Sequence, residues 1–486
     1  MAQEHLDPLT VQDARLLANE DACVHPVIGT VATFEGPPPE IGALREHIRG
    51  RLRVVPRYRQ RPAEPPAGLG APRWVDDPNF NLDYHVRHAA LPAPGDSGKL
   101  QRMVARLFSQ SLDRTKPLWE LYVVEGLHAA DGGRDRWALI SKTHLALVDG
   151  TDGIDLLTVM FDIESATATG RVPAHDRWQP RPLPTTAQLA AAALEDRARD
   201  IADLPRQTLA LVSRPNELAA KALGAAGAVW SSVTPSATAP LNEPIGPHRR
   251  FVSIPARLAE FRAIKDALDC SVNDVMLASV AGGLRHWLHQ RGARTAGVEL
   301  SAAVPVSIRV GTEHTGFASQ LTQVVAPLPV DLGDAVARVR LIRDVMRGVK
   351  RSAGALDADL IAGMADFAPP TILAQASRLG APPDSYHVAV TNIPGPQSAR
   401  FVLGRRLESI APVGFLDAGR PLSVAAMSYD GNVSFGLLAD YDALPDIIEI
   451  AAGIEASLQE LLEHVGAIDE PDAPSERRAQ PRALKS

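Results

Sequence analysis

Two stretches of alternating strand-like and helix-like segments, separated by a Pro- and Ala-rich region, constrain the fold of this chain most strongly. In the first stretch, GTVATFEG (29–36) and WALISKTHLAL (137–147) are β-branched or aromatic runs typical of strands. Between them, KLQRMVARLFSQSL (99–112) has apolar residues at helical spacing. From residue 250 the same mixture returns, with strand-like runs such as HVAVTN and a helix predicted over 333–350. This alternation predicts an α/β or α+β layer architecture in two halves.

Length and local composition predict how the chain is divided. Its 486 residues are enough for several domains of about 150 residues each. We predict an N-terminal domain over 1–175, a partly helical linker over 176–247, a C-terminal domain over 248–466 and a disordered tail over 467–486. Within the linker, residues 216–233 fit a plain packing helix or an amphipathic helix on a lipid surface, and we favour the packing helix.

Composition and charge argue against several functional classes. A chain that is 45% hydrophobic and 22% charged is typical of a folded globular protein. With 50 Lys and Arg against 57 Asp and Glu, the net charge is −7, which argues against binding of nucleic acid through its phosphates. Only Cys23 and Cys270 are present, so we expect a reducing compartment with no disulfide framework and no cysteine-ligated metal.

The chain has no sequence signature of a targeting or membrane-spanning segment. Its start, MAQEHLDPLTVQDARLL, lacks the basic residues and apolar run of a signal peptide. No stretch approaches the roughly 18 apolar residues of a spanning helix. The glycines form no phosphate-binding loop, and no Gly-x-Ser-x-Gly elbow is present. We therefore expect a cytoplasmic protein whose contact with membranes or lipid bodies is at most peripheral.

The segment KTHLALVDG (142–150) is the strongest candidate for an active site. A strand ends in His144, and Asp149 and Gly150 begin the next turn. A histidine at the end of a strand is more often structural than catalytic, so this segment alone favours a structural interpretation of His144.

Further stretches of the chain give this segment a context. Together with it, they resemble the bacterial wax ester synthase/diacylglycerol acyltransferase family over nearly the whole length. The matching stretches are RYRQR (57–61), WVDDPNFNLDYHVRHAALPAPG (74–95), KPLWELYVVEGL (116–127), VNDVMLASVAGGLR (272–285), VPVSIR (304–309), VTNIPGP (390–396) and YDGNVSFGLLADYDALPD (429–446).

The resemblance implies both a fold and an activity. The fold is two domains of the chloramphenicol-acetyltransferase type that face each other across a tunnel. Acyl-CoA enters the tunnel as co-substrate from one side, and diacylglycerol or a long-chain alcohol enters from the other. No covalently bound cofactor and no metal is implied. The family's motif is His-His-x-x-x-Asp-Gly, whose second His is the general base that takes the proton from the acceptor hydroxyl.

The chain departs from this motif at the base. When Asp149 and Gly150 are set on the motif, His144 falls on the first His and Leu145 on the second. Leucine cannot accept a proton. Since successive strand residues face opposite sides, His144 could replace the base only through a shift in strand register. We therefore expect an O-acyltransferase with weak or no turnover.

Two other functions are compatible with the resemblance. One is a non-catalytic member of the family that binds lipid or acyl-CoA. The other is condensation chemistry on carrier-bound acyl groups, which is disfavoured because the PLW, NDV and PGP stretches match the lipid enzymes and no carrier domain is evident in the sequence.

The resemblance also implies a structural role for the Asp-Gly pair. Asp149 is expected to pair with an arginine and hold the active-site loop, and the Pro-x-Tyr-Arg pattern makes Arg59 the candidate partner. The alternative for Arg59 is a solvated surface charge. Gly150 would allow close backbone approach or a positive φ at the turn.

Four more residues are candidates for the domain interface or tunnel, each with a structural alternative. Trp119 is expected to be a core residue. Asn273 and Asp274 are expected to cap a helix that begins at Ser271 or Asn273. Asn392 lies in a strand that leaves its sheet through a Pro-Gly turn, and it is expected to bond to backbone instead of a ligand.

Overall fold

Two six-stranded sheets form the body of the protein in the computed structural model, and helices pack against each of them. The structure describes residues 6–128, 135–148, 156–163, 178–213, 241–310, 318–353 and 386–469. Both halves of the chain contain strands and helices, which confirms the predicted mixed architecture.

The segments predicted over 29–36, 99–112, 137–147, 333–350 and 387–392 each coincide with a strand or helix to within four residues at either end. The strands described in the first half are β1 (Val27–Glu35), β2 (Gln60–Ala63), β3 (Arg73–Asp76), β4 (Val86–Ala90), β5 (Trp119–Leu127) and β6 (Arg136–His144). The helices described there are α1 (Val11–Ala18), α2 (Ile41–Arg51), α3 (Leu82–His85), α4 (Ser97–Phe108), α5 (Leu156–Met160) and α6 (Thr186–Ser213).

The second half of the chain has a similar mixture of elements. Its described strands are β7 (Arg249–Arg257), β8 (Leu300–Val310), β9 (Ala318–Leu328), β10 (Val388–Ile393), β11 (Phe401–Val402), β12 (Arg405–Val413), β13 (Leu422–Tyr429) and β14 (Asn432–Asp440). Its described helices are α7 (Leu258–Leu268), α8 (Val272–Gln290), α9 (Ala335–Ala353) and α10 (Ile447–Asp469).

Helix α4 shows how local sequence determines an element. Its N-cap is Asp96, whose carboxylate accepts a hydrogen bond from the backbone N–H of Lys99 at 2.7 Å. Its apolar residues recur at helical spacing and are buried: Leu100, Val104, Leu107 and Phe108. The apolar stripe predicted from the sequence is therefore the buried face of the helix.

The first sheet contains strands from both halves of the chain. Its order is β11-β12-β1-β6-β5-β4. β1 pairs antiparallel with β6 along its whole length, from Val27 opposite His144 to Glu35 opposite Arg136. On its other side β1 pairs with β12, which comes from the range predicted as the C-terminal domain. A strand therefore crosses from the second half into the first sheet, while the predicted domain boundaries stay a prediction.

The second sheet has the order β7-β14-β13-β10-β8-β9. β10 runs parallel to both of its neighbours, β13 and β8, and the other pairs in this sheet are antiparallel. One face is covered by α7, α8, α9 and α10, whose apolar side chains form a core with that face. Helices α8 and α10 approach each other closely where Gly283 faces Ile454, because a Cβ at Gly283 would overlap that side chain.

The other face of the second sheet packs toward the first sheet. Phe251 on β7, Met427 on β13 and Leu438 on β14 belong to the same apolar core as the first sheet. A Cβ at Gly436 would overlap the carbonyl oxygen of Pro412, so only glycine fits where β14 meets β12. The two sheets are therefore in direct contact, and whether a tunnel runs between them stays a prediction.

Helix α4 also joins the two sheets through hydrogen bonds. Gln101 Nε2 donates to the carbonyl oxygen of Ser253 at 3.2 Å. Just after the helix, Ser109 Oγ accepts a hydrogen bond from the backbone N–H of Arg249 at 2.9 Å. Both partners lie on β7, so α4 and its C-terminal end connect the first sheet to an edge strand of the second.

The described part of the linker is fastened to the first half of the chain. Asp76 accepts hydrogen bonds from Arg181 Nε at 3.1 Å and Nη2 at 3.2 Å. Arg73 donates to the carbonyl oxygen of Ala192 at 2.9 Å and pairs with Asp196. The β2–β3 ribbon therefore holds the start of α6. The segment 216–233 and most of the predicted tail lie outside the described residues.

Candidate active site

The turn that follows β6 is the centre of the candidate site, because it carries most of the HLALVDG segment. β6 ends at His144, and Leu145–Leu147 form one turn of 3-10 helix. Since strand residues alternate between faces, Lys142 and His144 lie on one side of the sheet and Thr143 on the other. The backbone N–H of Leu145 donates to the carbonyl oxygen of Pro26 at 2.9 Å, which fixes the turn to the residues before β1.

The His144 imidazole is buried and bonded to its own turn. Only 1% of the residue is exposed, and Nδ1 accepts a hydrogen bond from the backbone N–H of Ala146 at 3.0 Å. Nε2 lies 3.8 Å from Oε2 of Glu20. A neutral imidazole has one lone pair and one N–H, so acceptance at Nδ1 leaves the proton on Nε2. This is the arrangement that the structural interpretation of His144 predicts.

Glu20 is a buried carboxylate that faces several charged or titratable groups. Its Oε2 accepts hydrogen bonds from Arg114 Nε at 2.8 Å and Nη2 at 2.6 Å. Its Oε1 lies 4.0 Å from Nδ1 of His25. Burial, together with the positive charges of Arg249 and Lys142, lowers the pKa of His25 to about 4. His25 is therefore neutral near pH 7, and the charge of Glu20 is balanced mainly by Arg114.

Leu145 belongs to the apolar core of the first sheet. It is fully buried, and the residues that follow it, Ala146, Leu147 and Val148, join the same apolar core. A hydrocarbon side chain at this position offers neither a lone pair nor a proton. The side chain that stands beside His144 in the motif therefore contributes packing and no acid–base chemistry.

Arg59 is buried, and the alternative of a solvated surface charge is wrong. The residue is 4% exposed, and its guanidinium carbon lies 5.0 Å from the centroid of the Trp178 ring. This is a cation–π contact, which burial strengthens. Asp149 and Gly150 lie outside the described residues, so the pairing of Arg59 with Asp149 stays a prediction.

Trp119 lies in the core of the first sheet. It is 1% exposed, and its Nε1 donates to the carbonyl oxygen of Tyr58 at 2.8 Å. Its ring stacks on His85 with centroids 4.4 Å apart. His85 Nδ1 lies 2.7 Å from the Trp119 carbonyl oxygen, and burial lowers the pKa of His85 to about 4. The contacts of Trp119 are those of a core residue.

Asp274 caps helix α8 together with Ser271. The Asp274 carboxylate accepts a hydrogen bond from the Ser271 backbone N–H at 2.8 Å, and Ser271 Oγ accepts one from the Asp274 N–H at 3.3 Å. This reciprocal arrangement is a capping box. Of the two predicted N-cap candidates, the structure selects Ser271, and Asn273 lies inside the first turn of the helix.

Asn392 lies on the side of the second sheet that faces the helices. It pairs in register with Ala426, a residue of the second core, whereas Thr391 and Ile393 alternate to the opposite face. After Ile393 the chain leaves β10 through Pro394 and Gly395 and continues to β11 and β12 of the first sheet. The predicted Pro-Gly exit from the sheet is therefore present.

Comparison with protein families identifies the chain. A family model described as the wax ester synthase/diacylglycerol acyltransferase catalytic domain matches residues 9–276, which is more than half of the chain. The chain belongs to this family. The model of the WS/DGAT C-terminal domain matches residues 319–462, so both parts of a WS/DGAT protein are represented.

Individual relatives agree with this assignment. A Mycobacterium tuberculosis protein named "Probable diacyglycerol O-acyltransferase tgs1" is 32% identical over 472 residues, which cover 94% of this chain and 96% of that protein. The solved structure of the wax ester synthase/diacylglycerol acyltransferase from Marinobacter aquaeolei VT8 has a TM-score of 0.63 and 25% identity, and the match covers 94% of this chain and all of that chain.

A more distant structural neighbour shows the fold alone. It is a starter condensation domain of rhizomide synthetase, solved in complex with C8-CoA and Leu-SNAC. It has a TM-score of 0.55 at 14% identity, and the match covers 95% of each chain. The mixed α/β fold with two domains is therefore common to the WS/DGAT family and condensation domains.

Several buried polar side chains near the WS/DGAT motif were not predicted from the sequence. Lys142 Nζ donates to the carbonyl oxygen of Gln110 at 2.6 Å, and burial lowers the pKa of Lys142 to about 8. Glu120 accepts hydrogen bonds from Arg87 Nη2 and Tyr122 Oη, each at 2.7 Å. Because Lys142 and His144 are two residues apart on β6, the sequence could have indicated that they lie on the same face of the sheet. Gln110, the partner of Lys142, and Arg87, a partner of Glu120, are distant from them in sequence and gave no such signal.

Among the residues that the structure describes, no three His, Cys, Asp or Glu side chains are arranged to hold a metal ion. In the same residues, no helix combines the length and the hydrophobicity needed to cross a bilayer.

Proposed function

We propose that this WS/DGAT protein binds acyl-CoA and a diacylglycerol or long-chain alcohol acceptor in a tunnel between its two domains, and transfers the acyl group weakly or not at all. Family membership and the similarity to the mycobacterial diacylglycerol acyltransferase support the substrate classes. The observation that carries the limit on turnover is the fully buried Leu145, which aligns with the family's catalytic His.

The reaction shows why residue 145 matters. The acceptor oxygen attacks the thioester carbon, a C–O bond forms, the C–S bond breaks, and coenzyme A leaves as the thiol with a proton. The acceptor must give up its proton during the attack, and a positioned general base contributes about 10²–10⁴ in rate. Leu145 has no group that can take this proton. Binding of both substrates next to each other could still contribute to the rate through proximity.

His144 is poorly arranged to replace the missing base. The lone pair of its Nδ1 already accepts the N–H of Ala146, and its Nε2 faces the Glu20 carboxylate. To accept a proton at Nδ1, the imidazole would have to give up its bond to the turn. A base at residue 145 would lie one residue later, in the 3-10 turn that follows β6, so His144 does not occupy its position.

The same observation favours a second candidate function. A family member that has lost its base and kept its substrate pocket would bind lipid or acyl-CoA without turnover, as a pseudoenzyme. In either function we propose that the protein acts in the cytoplasm or at the periphery of a membrane or lipid body. It would need no covalently bound cofactor, no metal and no nucleic acid.

The experiment that tests the proposal measures binding and turnover separately. Purified protein and the Leu145→His variant would be given a long-chain acyl-CoA, with diacylglycerol or hexadecanol as acceptor, while thiol release is followed. Acyl-CoA binding would be measured for both proteins by calorimetry. We expect binding by both, acceptor-dependent turnover by the variant, and little or none by the native chain. Rapid turnover by the native chain would contradict the proposal.

A further inference from the structure

We infer that Glu20 and Arg114 are positioning residues of the acyl-transfer site: they hold His144, and through it the turn that carries residue 145. This inference rests on the proposed function insofar as it concerns acyl transfer. It adds to the site two residues that lie far from the motif in sequence and just outside its turn in space.

The contacts form one continuous chain from the guanidinium to the turn. Arg114 donates through Nε and Nη2 to Oε2 of Glu20, at 2.8 and 2.6 Å. The same oxygen lies 3.8 Å from Nε2 of His144. On the far side of the ring, Nδ1 accepts the backbone N–H of Ala146 at 3.0 Å. A displacement of Arg114 or Glu20 would therefore change the contact that follows it in this series, down to the bond between His144 and the turn.

The charge of Glu20 favours one tautomer of the imidazole. A carboxylate 3.8 Å from Nε2 is too far for a direct hydrogen bond but close enough to attract the proton on that nitrogen, especially in a buried site. With the proton on Nε2, the lone pair of Nδ1 is free to accept Ala146 N–H. Glu20 therefore stabilises the form of His144 that holds the turn.

The location of Glu20 is itself fixed from several directions. The Glu20 side chain is 5% exposed. Glu20 lies just after the end of α1, and α1 packs against the turn of residues 145–147. Arg114 also donates to the carbonyl oxygen of Leu17 in α1. A buried carboxylate is costly unless it is well paired, so this arrangement is stable only while Arg114 is present. The carboxylate of the pair is therefore buried and held by two hydrogen bonds, while the Arg114 side chain is 38% exposed.

Two independent readouts test the inference. The first uses the native sequence and does not require activity. The protein would be labelled with ¹⁵N-histidine, and the His144 signals would be identified by their loss in His144→Asn. We expect His144 to be in the Nε2–H tautomer in the native chain and to become a mixture of tautomers in Glu20→Gln. Unchanged His144 nitrogen shifts in Glu20→Gln would overturn the inference.

The second readout is catalytic and uses Leu145→His as the parent. Because small misplacements of reacting groups are costly, we expect Glu20→Gln in this parent to lower kcat about ten-fold or more, with KM changed less than about two-fold. The matched control is Asp76→Asn, which also breaks a buried carboxylate–arginine pair, with Arg181, but belongs to the β2–β3 ribbon. An equal loss of kcat in the control would mean that Glu20 supports stability alone, and would overturn the positioning role.

The two readouts also separate this inference from the proposed function. If Leu145→His binds acyl-CoA but shows no acyl transfer with any acceptor, the proposal that only the base at residue 145 is missing fails, whereas the proposed binding function remains. In that case the tautomer experiment alone decides whether Glu20 holds His144.

Discussion

The imidazole of His144 lies beside the Glu20 carboxylate, with Nε2 3.8 Å from Oε2, whereas the next residue, Leu145, belongs to the apolar core of the first sheet. Of these two neighbouring residues, His144 therefore makes polar contacts with its own turn and with Glu20, and Leu145 contributes apolar packing.

The pH dependence of the Leu145→His variant should identify the introduced imidazole as the base. A general base must be deprotonated to act, so kcat should rise with pH through the titration of that imidazole, whose unperturbed pKa is about 6.5, and then level off. The measurement is thiol release with hexadecanol as acceptor from pH 5 to pH 9.

Leu145→Asn is the matched control for this prediction. It introduces a polar side chain of similar size that cannot take a proton in this pH range. We expect no comparable rise of its rate with pH. A similar pH profile in both variants would mean that another group, and not residue 145, accepts the proton.

Removing the imidazole of His144 should destabilise the turn. In His144→Leu the backbone N–H of Ala146 loses its acceptor in a buried place, which should lower the free energy of unfolding by about 1–3 kcal/mol. In His144→Asn the side-chain oxygen can accept from the N–H two residues ahead, as in an Asx turn, and should recover part of the loss. Urea denaturation of the three proteins checks this order, and equal stability of the two variants would contradict it.

Local sequence patterns predicted several of the individual elements. β1 and β6 follow from runs of β-branched and aromatic residues, and α4 follows from its apolar spacing and the Asp96 cap. The sequence also predicts that α8 begins at Ser271 or Asn273, because both residue types cap helices. These features depend on residues within a few positions of one another, so the chain contains the information locally.

Contacts between distant residues could not be predicted in this way. No local pattern indicates that β12 pairs with β1, or that Glu20 lies beside His144. Arg59 could be interpreted as a surface charge because its burial depends on Trp178, more than a hundred residues later. Such contacts arise from tertiary packing, so they can be identified only once the positions of the elements in the whole fold are known.

Two glycine substitutions, one at the contact between the two sheets and one in helix α9, should change the stability of the protein in opposite directions. In Gly436→Ala the new methyl group would overlap the carbonyl oxygen of Pro412, a backbone atom that cannot move freely. We expect a loss of about 3 kcal/mol in the free energy of unfolding. In Gly348→Ala, in helix α9, the new methyl group meets no atom within 4 Å, and the better helix propensity should stabilise by up to about 1 kcal/mol. Thermal and urea unfolding of both variants would check the signs, and a stabilising Gly436→Ala would contradict direct contact of the sheets.

Buried neutral histidines should make the protein less stable in mild acid. Burial lowers the pKa of His85 from 6.5 to about 4 in the folded protein. Between these values the unfolded chain binds a proton that the folded protein does not, so stability falls as the pH drops from about 6.5 to about 4 and levels off below that range. The gap between the two pKa values corresponds to about 3 kcal/mol at most for this residue.

A substitution at His85 should reduce this pH dependence. His85→Gln should be less stable than the native chain at pH 7.5, because the ring stacked on Trp119 is lost. Its free energy of unfolding should then fall less between pH 7 and pH 4.5, because one proton-binding group has been removed from the unfolded state. The control for the substitution itself is His248→Gln, at an exposed position, which should leave the free energy of unfolding at pH 7.5 close to that of the native chain. Urea unfolding at several pH values measures the slopes, and an unchanged slope in His85→Gln would show that His85 does not titrate differently in the two states.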